Sequence, residues 1–274
     1  MIVNRTELIV GRILLVVILL LTLLPFASML TAALQSPDRI PNGFAWPTDP
    51  HWENFVTAFL VGKIGTLMLS SLFIVAIVVP VSLVFATLAG YALGNLRIPG
   101  GRVVLIGMIV GLTIPFEAIV IPLYYQLTSF GVINTQWAVI LPLIGLYMPF
   151  SVFWMRAHFL GVPREISEAA RVDGAGVWQE LRSIQLPLAR PALSALGILL
   201  FLWTWNQFLL PLVMIDDPDK RTMAGALGAF QGQYIDTLPL LFAASLLVML
   251  PTVIIYIIFQ RQFIGALLQG AVKG

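Results

Sequence analysis

Two groups of polar residues stand out in a largely apolar chain, and their types and spacing limit the chemistry open to it. The first is Glu168-Ala169-Ala170-Arg171-Val172-Asp173-Gly174, a run of charges and small residues closed by a helix-stopping glycine and followed by Ile184-Gln185-Leu186-Pro187. Charges on a short helix suit a polar contact with another protein, and the alanines leave room for a second backbone. An ordinary solvated loop has the same composition, so both readings stand at this level. The second group is Trp203, Trp205, Asn206 and Gln207, with Glu117, Tyr124 and Gln126 upstream. Aromatic faces stack on the apolar faces of a sugar ring, while amides donate and accept hydrogen bonds to hydroxyls. Packing or lipid-facing roles for the tryptophans, and an interhelical bond for Asn206, are the alternative.

Other chemistries lack their residues. Cysteine is absent, which excludes disulfides, thiolate metal sites and a cysteine nucleophile. His51 and His158 are far apart and form no H-E-x-x-H pair, so no zinc site is expected. No G-x-x-x-x-G-K-[ST] phosphate loop occurs, and the chain is therefore expected neither to bind nor to hydrolyse ATP. No basic stripe interleaved with aromatics supports nucleic-acid binding.

The elements that must position these residues are membrane spans. Of 274 residues 59% are hydrophobic and 10% charged, whereas soluble domains carry about 25% charged residues. Apolar runs of roughly 20 residues, each enough to cross a bilayer, recur along the whole length. They lack the strict alternation of barrel strands. The fold class is all-α: a single transmembrane domain over 1–274 with six transmembrane helices, expected at 9–34, 66–95, 103–127, 136–160, 188–215 and 237–262. The first run is too long for a signal peptide and reads as a retained span. Gly90, Gly94, Gly107 and Gly111 form small-xxx-small pairs that permit close helix contact. Glu117 falls within the third span between Pro115 and Pro122, which bend the helix. A carboxyl at that depth marks a pathway, or is protonated, or is paired across a subunit interface.

Cytoplasmic loops retain lysine and arginine. Placing both termini inside puts Arg5, Arg12, Arg97, Arg102, Arg156, Arg164, Arg171, Arg182, Arg190, Arg261 and Lys273 on the cytoplasmic side. Arg39, Lys63, Lys220 and Arg221 remain outside, among Asp38, Asp49, Glu53, Asp216, Asp217, Asp219 and Asp236. The 168–174 stretch then faces the cytoplasm. The first outer loop, about 35 to 65, contains Pro37, Pro41, Pro47, Pro50, Trp46 and Trp52. It reads as an ordered cap, either an interfacial segment or a surface for an extracytoplasmic partner.

Within the cytoplasmic loop, about 161–187, Pro163 suits the first turn of a helix that Gly174 ends, roughly 16 Å long at 1.5 Å per residue. Arg164 and Glu168 share a face of it. A second short helix from about Val177 to Gln185 turns back toward the membrane, and Pro187 marks entry to the next span.

The run EAARVDGAGVWQELRSIQLPLARPAL resembles the EAA loop of ABC importer permeases, in the form found in the carbohydrate-uptake branch related to the maltose permease subunits. The resemblance rests on Glu168, Ala169, Ala170, Asp173, Gly174, Ile184, Leu186, Pro187 and Pro191 in order. Trp205-Asn206-Gln207-Phe208-Leu209-Leu210-Pro211 is similar to a second family stretch, which more often has Asp or Glu where Gln207 stands. The segment from Pro115 to Pro122 and the ending Gly270-Ala271-Val272-Lys273-Gly274 are similar to the shorter maltose-type subunit. The resemblance implies an inner-membrane importer in which two permease subunits form the pathway, with a partner similar to the longer maltose-type subunit. Two ATPase subunits holding ATP and Mg drive it, and an extracytoplasmic solute-binding protein delivers the cargo. It implies that Glu168, Ala169, Ala170, Arg171, Asp173 and Gly174 couple the chain to the ATPase: Glu168 makes the polar contact, the alanines permit close approach and Gly174 forms the bend. A sugar is the expected cargo. The alternatives are glycerol phosphate or another polyol derivative and, outside transport, an intramembrane enzyme or a docking scaffold.

Overall fold

The computed structural model describes residues 5–36, 44–230 and 238–271, with side chains placed for 8–36, 44–228 and 238–260. Expectations about Pro37, Asp38, Arg39, Pro41, Asp236 and Lys273, about the side chains of Arg5 and Arg261, and about the side chains of the 270–274 ending fall outside the described residues. Every regular element among the described residues is helical. Four helices are long and apolar enough to cross a membrane, and the number rises to six if each of two sharply bent helix pairs counts as one span.

The chain divides into two compact units, residues 1–65 with 226–250 and residues 66–225 with 251–274. In the first, α1 spans Arg5–Ala33 and α2 spans Glu53–Val61. From Leu8 onward α1 is apolar on nearly all sides and buries almost none of its length within this chain, so lipid or another chain must cover it. Its C-terminal end is tied down by polar bonds. The buried Asn54 amide donates to the carbonyls of Ala33 (2.8 Å) and Gln35 (2.9 Å), satisfying acceptors that a helix end leaves open. The expected cap after the first span is thus an ordered element, α2, preceded by the exposed Trp46 and Trp52.

The second unit holds α3 (Ile64–Asn95, all but its first two residues), α4 (Gly101–Thr113), α5 (Phe116–Ser129), α6 (Trp137–Leu160), α7 (Arg164–Val172), α8 (Val177–Glu180), a π-helical turn (Leu181–Gln185), α9 (Leu186–Leu188), α10 (Arg190–Trp205) and α11 (Leu209–Met214). The last helix, α12 (Leu238–Ala271), gives its first part to the first unit and the remainder to the second.

Two of the expected spans are corrected. The third, 103–127, is broken rather than bent: α4 and α5 meet at 102°. The ring of Pro115 clashes with a helical residue before it, so Ile114 is extended (ψ 123°) and the helix ends at Thr113. The fifth, 188–215, stops as a continuous helix at Trp205. There Asn206 caps it by donating its side-chain amide to the Leu202 carbonyl at 2.8 Å, and a separate short α11 follows. Its other end turns sharply as well, the 177–188 segment meeting α10 at 74°.

Two apolar clusters hold this unit. One joins Ile74 and Val78 of α3 to Val120 of α5, Ile140 and Leu143 of α6 and Leu210 of α11. The other joins Ala86 and Tyr91 of α3 to Met155 and Phe159 of α6, Leu181 of the π turn and Leu196 of α10. Lipid tails are as apolar as leucine, so close packing and polar bonds must hold helices together here. At Gly90 a Cβ would lie 2.7 Å from Met155 Cβ and 2.9 Å from the Arg156 amide nitrogen, which puts α3 against α6 at the glycine. Nearby, Arg156 Nε donates to the Leu93 carbonyl at 3.1 Å, and Trp154 Nε1 donates to the Ala192 carbonyl of α10 at 3.0 Å. Of the four glycines singled out by spacing, Gly90 alone is in so tight a contact, and Gly107 faces open space.

Candidate functional site

Two places gather the residues of interest, and both lie in the second unit. The first is the foot formed by α7, α8, the π turn and α9. Pro163 stands just ahead of α7, where its missing N–H costs nothing. The helix ends in a Schellman closure: Ala175 N donates to the Ala170 carbonyl (2.9 Å) and Gly174 N to that of Arg171 (3.1 Å). That closure needs the left-handed backbone of Gly174, whose φ is +82°.

Arg164, Glu165, Glu168, Ala169 and Asp173 are exposed along α7. Ala170 is buried against the foot, so of the two alanines only Ala169 presents an open face. Two side-chain bonds join α7 to the returning segment. Arg171 Nε donates to Glu180 Oε2 at 3.0 Å, and Gln185 Nε2 donates to Ser167 Oγ at 3.0 Å. Glu180 and Gln185 are both fully buried. In the π turn the Leu186 amide reaches back to the Leu181 carbonyl, an i→i+5 bond.

Burial by itself pushes the Glu180 carboxyl up, but the Arg171 guanidinium and the nearby hydroxyls of Ser167 and Tyr91 outweigh it and hold the group below its ordinary value. Arg171 is held above its own, by the hydrogen bond to Glu180 and then by its charge. The pair is therefore ionic, with a fully buried carboxylate and a half-exposed guanidinium. Tyr91 Oη and Glu180 Oε1 find no partner within hydrogen-bonding geometry among the described residues, so Arg171 makes the direct bond to this carboxylate. The sequence offered no signal for Glu180, which reads as one more charge in a polar loop.

The second place is a cavity of about 780 Å³ walled by α4, α5, α6 and α10 with their flanking residues. The break after Thr113 leaves Ile114 and Phe116 on its wall, and the stop of α10 leaves Asn206 and Gln207 there. Its aromatic side is Tyr147, Phe150 and Trp203, with ring centroids 5.7 Å apart for Tyr147 and Trp203 and 5.0 Å for Phe150 and Trp203. No charged side chain lines it.

The cavity brings together three of the seven pathway residues expected from sequence: Trp203, Asn206 and Gln207. Trp205, two positions on from Trp203, turns the other way; it is 2% exposed and stacked on Phe201 with centroids 5.5 Å apart. Glu117, Tyr124 and Gln126 lie on α5 outside the lining, Glu117 exposed in its first turn. Tyr147 and Phe150 were missed because, within an apolar run, they carry no mark distinguishing them from packing residues.

Comparison with known proteins agrees with this architecture. Residues 82–266 match the family described as the binding-protein-dependent transport system inner membrane component. The chain is 31% identical to the diacetylchitobiose uptake system permease protein NgcG of Streptomyces coelicolor, over 92% of this chain and 85% of that protein. It is 34% identical to the arabinooligosaccharides transport system permease protein AraQ of Halalkalibacterium halodurans, over 91% of each. Identity to the melibiose/raffinose/stachyose import permease protein MelC of Bacillus subtilis is 29%, over 92% of this chain and 91% of that protein. In fold it is similar to a chain from the crystal structure of a bacterial ABC transporter involved in the import of the acidic polysaccharide alginate. There the TM-score is 0.79 at 22% identity, covering 95% of this chain and 98% of that one. With its apolar helices, broken spans and family match together, the chain is a multi-pass membrane protein belonging to the binding-protein-dependent transport system inner membrane component family of ABC permeases.

Proposed function

We propose that this chain is one permease subunit of an ATP-driven importer for a neutral sugar, driven by contact between α7 and separate ATPase subunits. The observation that carries the reading is the position of α10. One end of this helix follows the foot, and the other supplies Trp203, Asn206 and Gln207 to an uncharged, aromatic-walled cavity. Its 16 residues span about 24 Å, so a displacement imposed at the foot is carried to the cavity wall by a single rod.

The chemistry of the cavity favours a sugar over its phosphorylated relatives. An aromatic side and terminal amides suit a polyhydroxylated ring, whereas glycerol phosphate calls for a cation, and none lines the cavity. The sugar-uptake names of the relatives support the same class. Among the described residues no cluster of His, Asp or Glu could hold a metal ion, and the reading assigns ATP and Mg to the ATPase partners. A second, different permease chain completes the pathway, and an extracytoplasmic binding protein supplies the cargo. Both termini are cytoplasmic in this reading, and residues 1–274 act as one permease domain.

The test is reconstitution of the full complex in vesicles with a panel of sugars and glycerol phosphate, the cognate binding protein present. Import of a neutral sugar is expected. ATP hydrolysis that moves no solute sinks the transport claim, and import of glycerol phosphate alone shifts the cargo to the alternative class. Orientation is tested in the same vesicles. The chain lacks cysteine, so Val172→Cys, at an 87% exposed position on α7, is expected to react only with cytoplasmic reagent.

A further inference from the structure

We propose that Glu180 is a positioning residue for energy coupling: the buried Arg171–Glu180 pair is the joint that makes α7 move as one body with the helices behind it. The inference rests on the reading of α7 as the contact for the ATPase, and goes beyond it by naming what holds that contact rigid.

Little else fastens α7. It has nine residues, too few to be stable alone, and Ala170 is its only buried side chain. A small methyl group contributes little packing and no direction. What remains is two side-chain bonds, Arg171 to Glu180 and Gln185 to Ser167, at the two inward positions flanking Glu168 and Ala169. Both end on groups that are fully buried in the segment leading to α10.

The two bonds are not equal. Gln185 and Ser167 are neutral, so breaking their bond leaves a buried amide unpaired but no buried charge. Glu180 carries a buried charge whose direct partner is Arg171, so opening that pair leaves a carboxylate with neither water nor counter-charge. Any tilt of α7 away from the foot must break this pair. Tyr91 of α3 stands beside the same carboxylate and affects its ionisation, which places the joint where the foot, α3 and α10 converge. The adjoining π turn, with its i→i+5 bond, sets Gln185 inward at its end, as Leu181 is at its start. A helix end held by directional charged bonds transmits displacement, whereas one held by a single methyl group pivots.

The experiment uses the complete complex with its ATPase subunits, second permease chain and binding protein. Glu180→Gln keeps the shape and removes the charge, and Arg171→Lys keeps a charge and removes the guanidinium geometry. Two readouts are taken: solute moved per ATP hydrolysed, and the mobility of a spin label on Val172→Cys. Glu180→Gln is expected to lower transport per ATP by about fivefold or more and to raise label mobility, with Arg171→Lys between it and the parent. Parent-like transport per ATP with an unchanged spectrum in both variants overturns the proposal. If Glu180→Gln does not assemble, Arg171→Lys decides alone, since Arg171 is half-exposed and its replacement leaves no new buried charge. The underlying reading has its own check. A spin label on α7 whose spectrum does not change when the ATPase subunits bind shows that α7 is not their contact, whatever Glu180 does.

Discussion

The foot and the cavity occupy the same unit and share α10, yet they are built on opposite plans. The foot is polar, projecting and fastened by a few directional bonds to buried groups. The cavity is uncharged, concave and walled by aromatic rings that touch one another. A few directional bonds fix position, which is what transmission of force requires. Overlapping rings offer area with tolerance, which suits a ligand that must be released after each cycle. The difference teaches that single substitutions should act abruptly in the foot and by degrees in the cavity.

The largest effect that sharpens this contrast lies beside the cavity rather than in it. Trp205→Ala removes a buried indole and is expected to cost about 3 kcal/mol of stability, seen as a lowered Tm of the purified protein. Trp203→Ala, at a half-open wall position, is expected to leave Tm nearly unchanged and to raise KM for transport. Equal loss of Tm in both would break the distinction between wall and core. Next comes Gly90→Leu, which forces α3 off Met155 and Arg156 behind the foot and is expected to destabilise by about 1–3 kcal/mol. An unchanged Tm would show that this bundle gives way more easily than the close approach implies.

A smaller effect, expected at about tenfold or 1.4 kcal/mol, belongs to the exposed face of α7. Glu168→Ala and Gly174→Val are each expected to uncouple solute-stimulated ATP hydrolysis while the spans stay folded. Gly174→Val acts through the left-handed turn, which a β-branched residue resists. Full coupling in both variants removes the assigned role from α7. The smallest effect is at the cavity amides. Gln207→Leu is expected to change KM about threefold, of the order of one neutral hydrogen bond, and a complete loss of transport would make the cavity as unforgiving as the foot.

How much of this was legible beforehand differs between the two places. The foot is continuous in sequence: Pro163, Gly174 and Pro187 mark its turns, and its two helices lie within two residues of where those markers put them. Its joint was hidden, because Glu180 is buried only once the chain folds, with Arg171 of α7 and Tyr91 of α3 beside it. The cavity draws on residues from Gly111 to Gln207. Trp203 and Trp205 look alike in sequence, and the helical rotation of about 200° between them sends one to the cavity and the other to the core.

The sequence by itself determined that the chain lives in a membrane, that its regular structure is helical and that a charged loop near residue 168 stands apart from the spans. Length, apolar content and punctuation by proline and glycine act locally, and local effects can be read in order along a chain. Only the tertiary structure decided which aromatic rings face a cavity and which carboxylate is sealed from water. Each of these depends on groups that are distant in sequence and meet only when the helices pack.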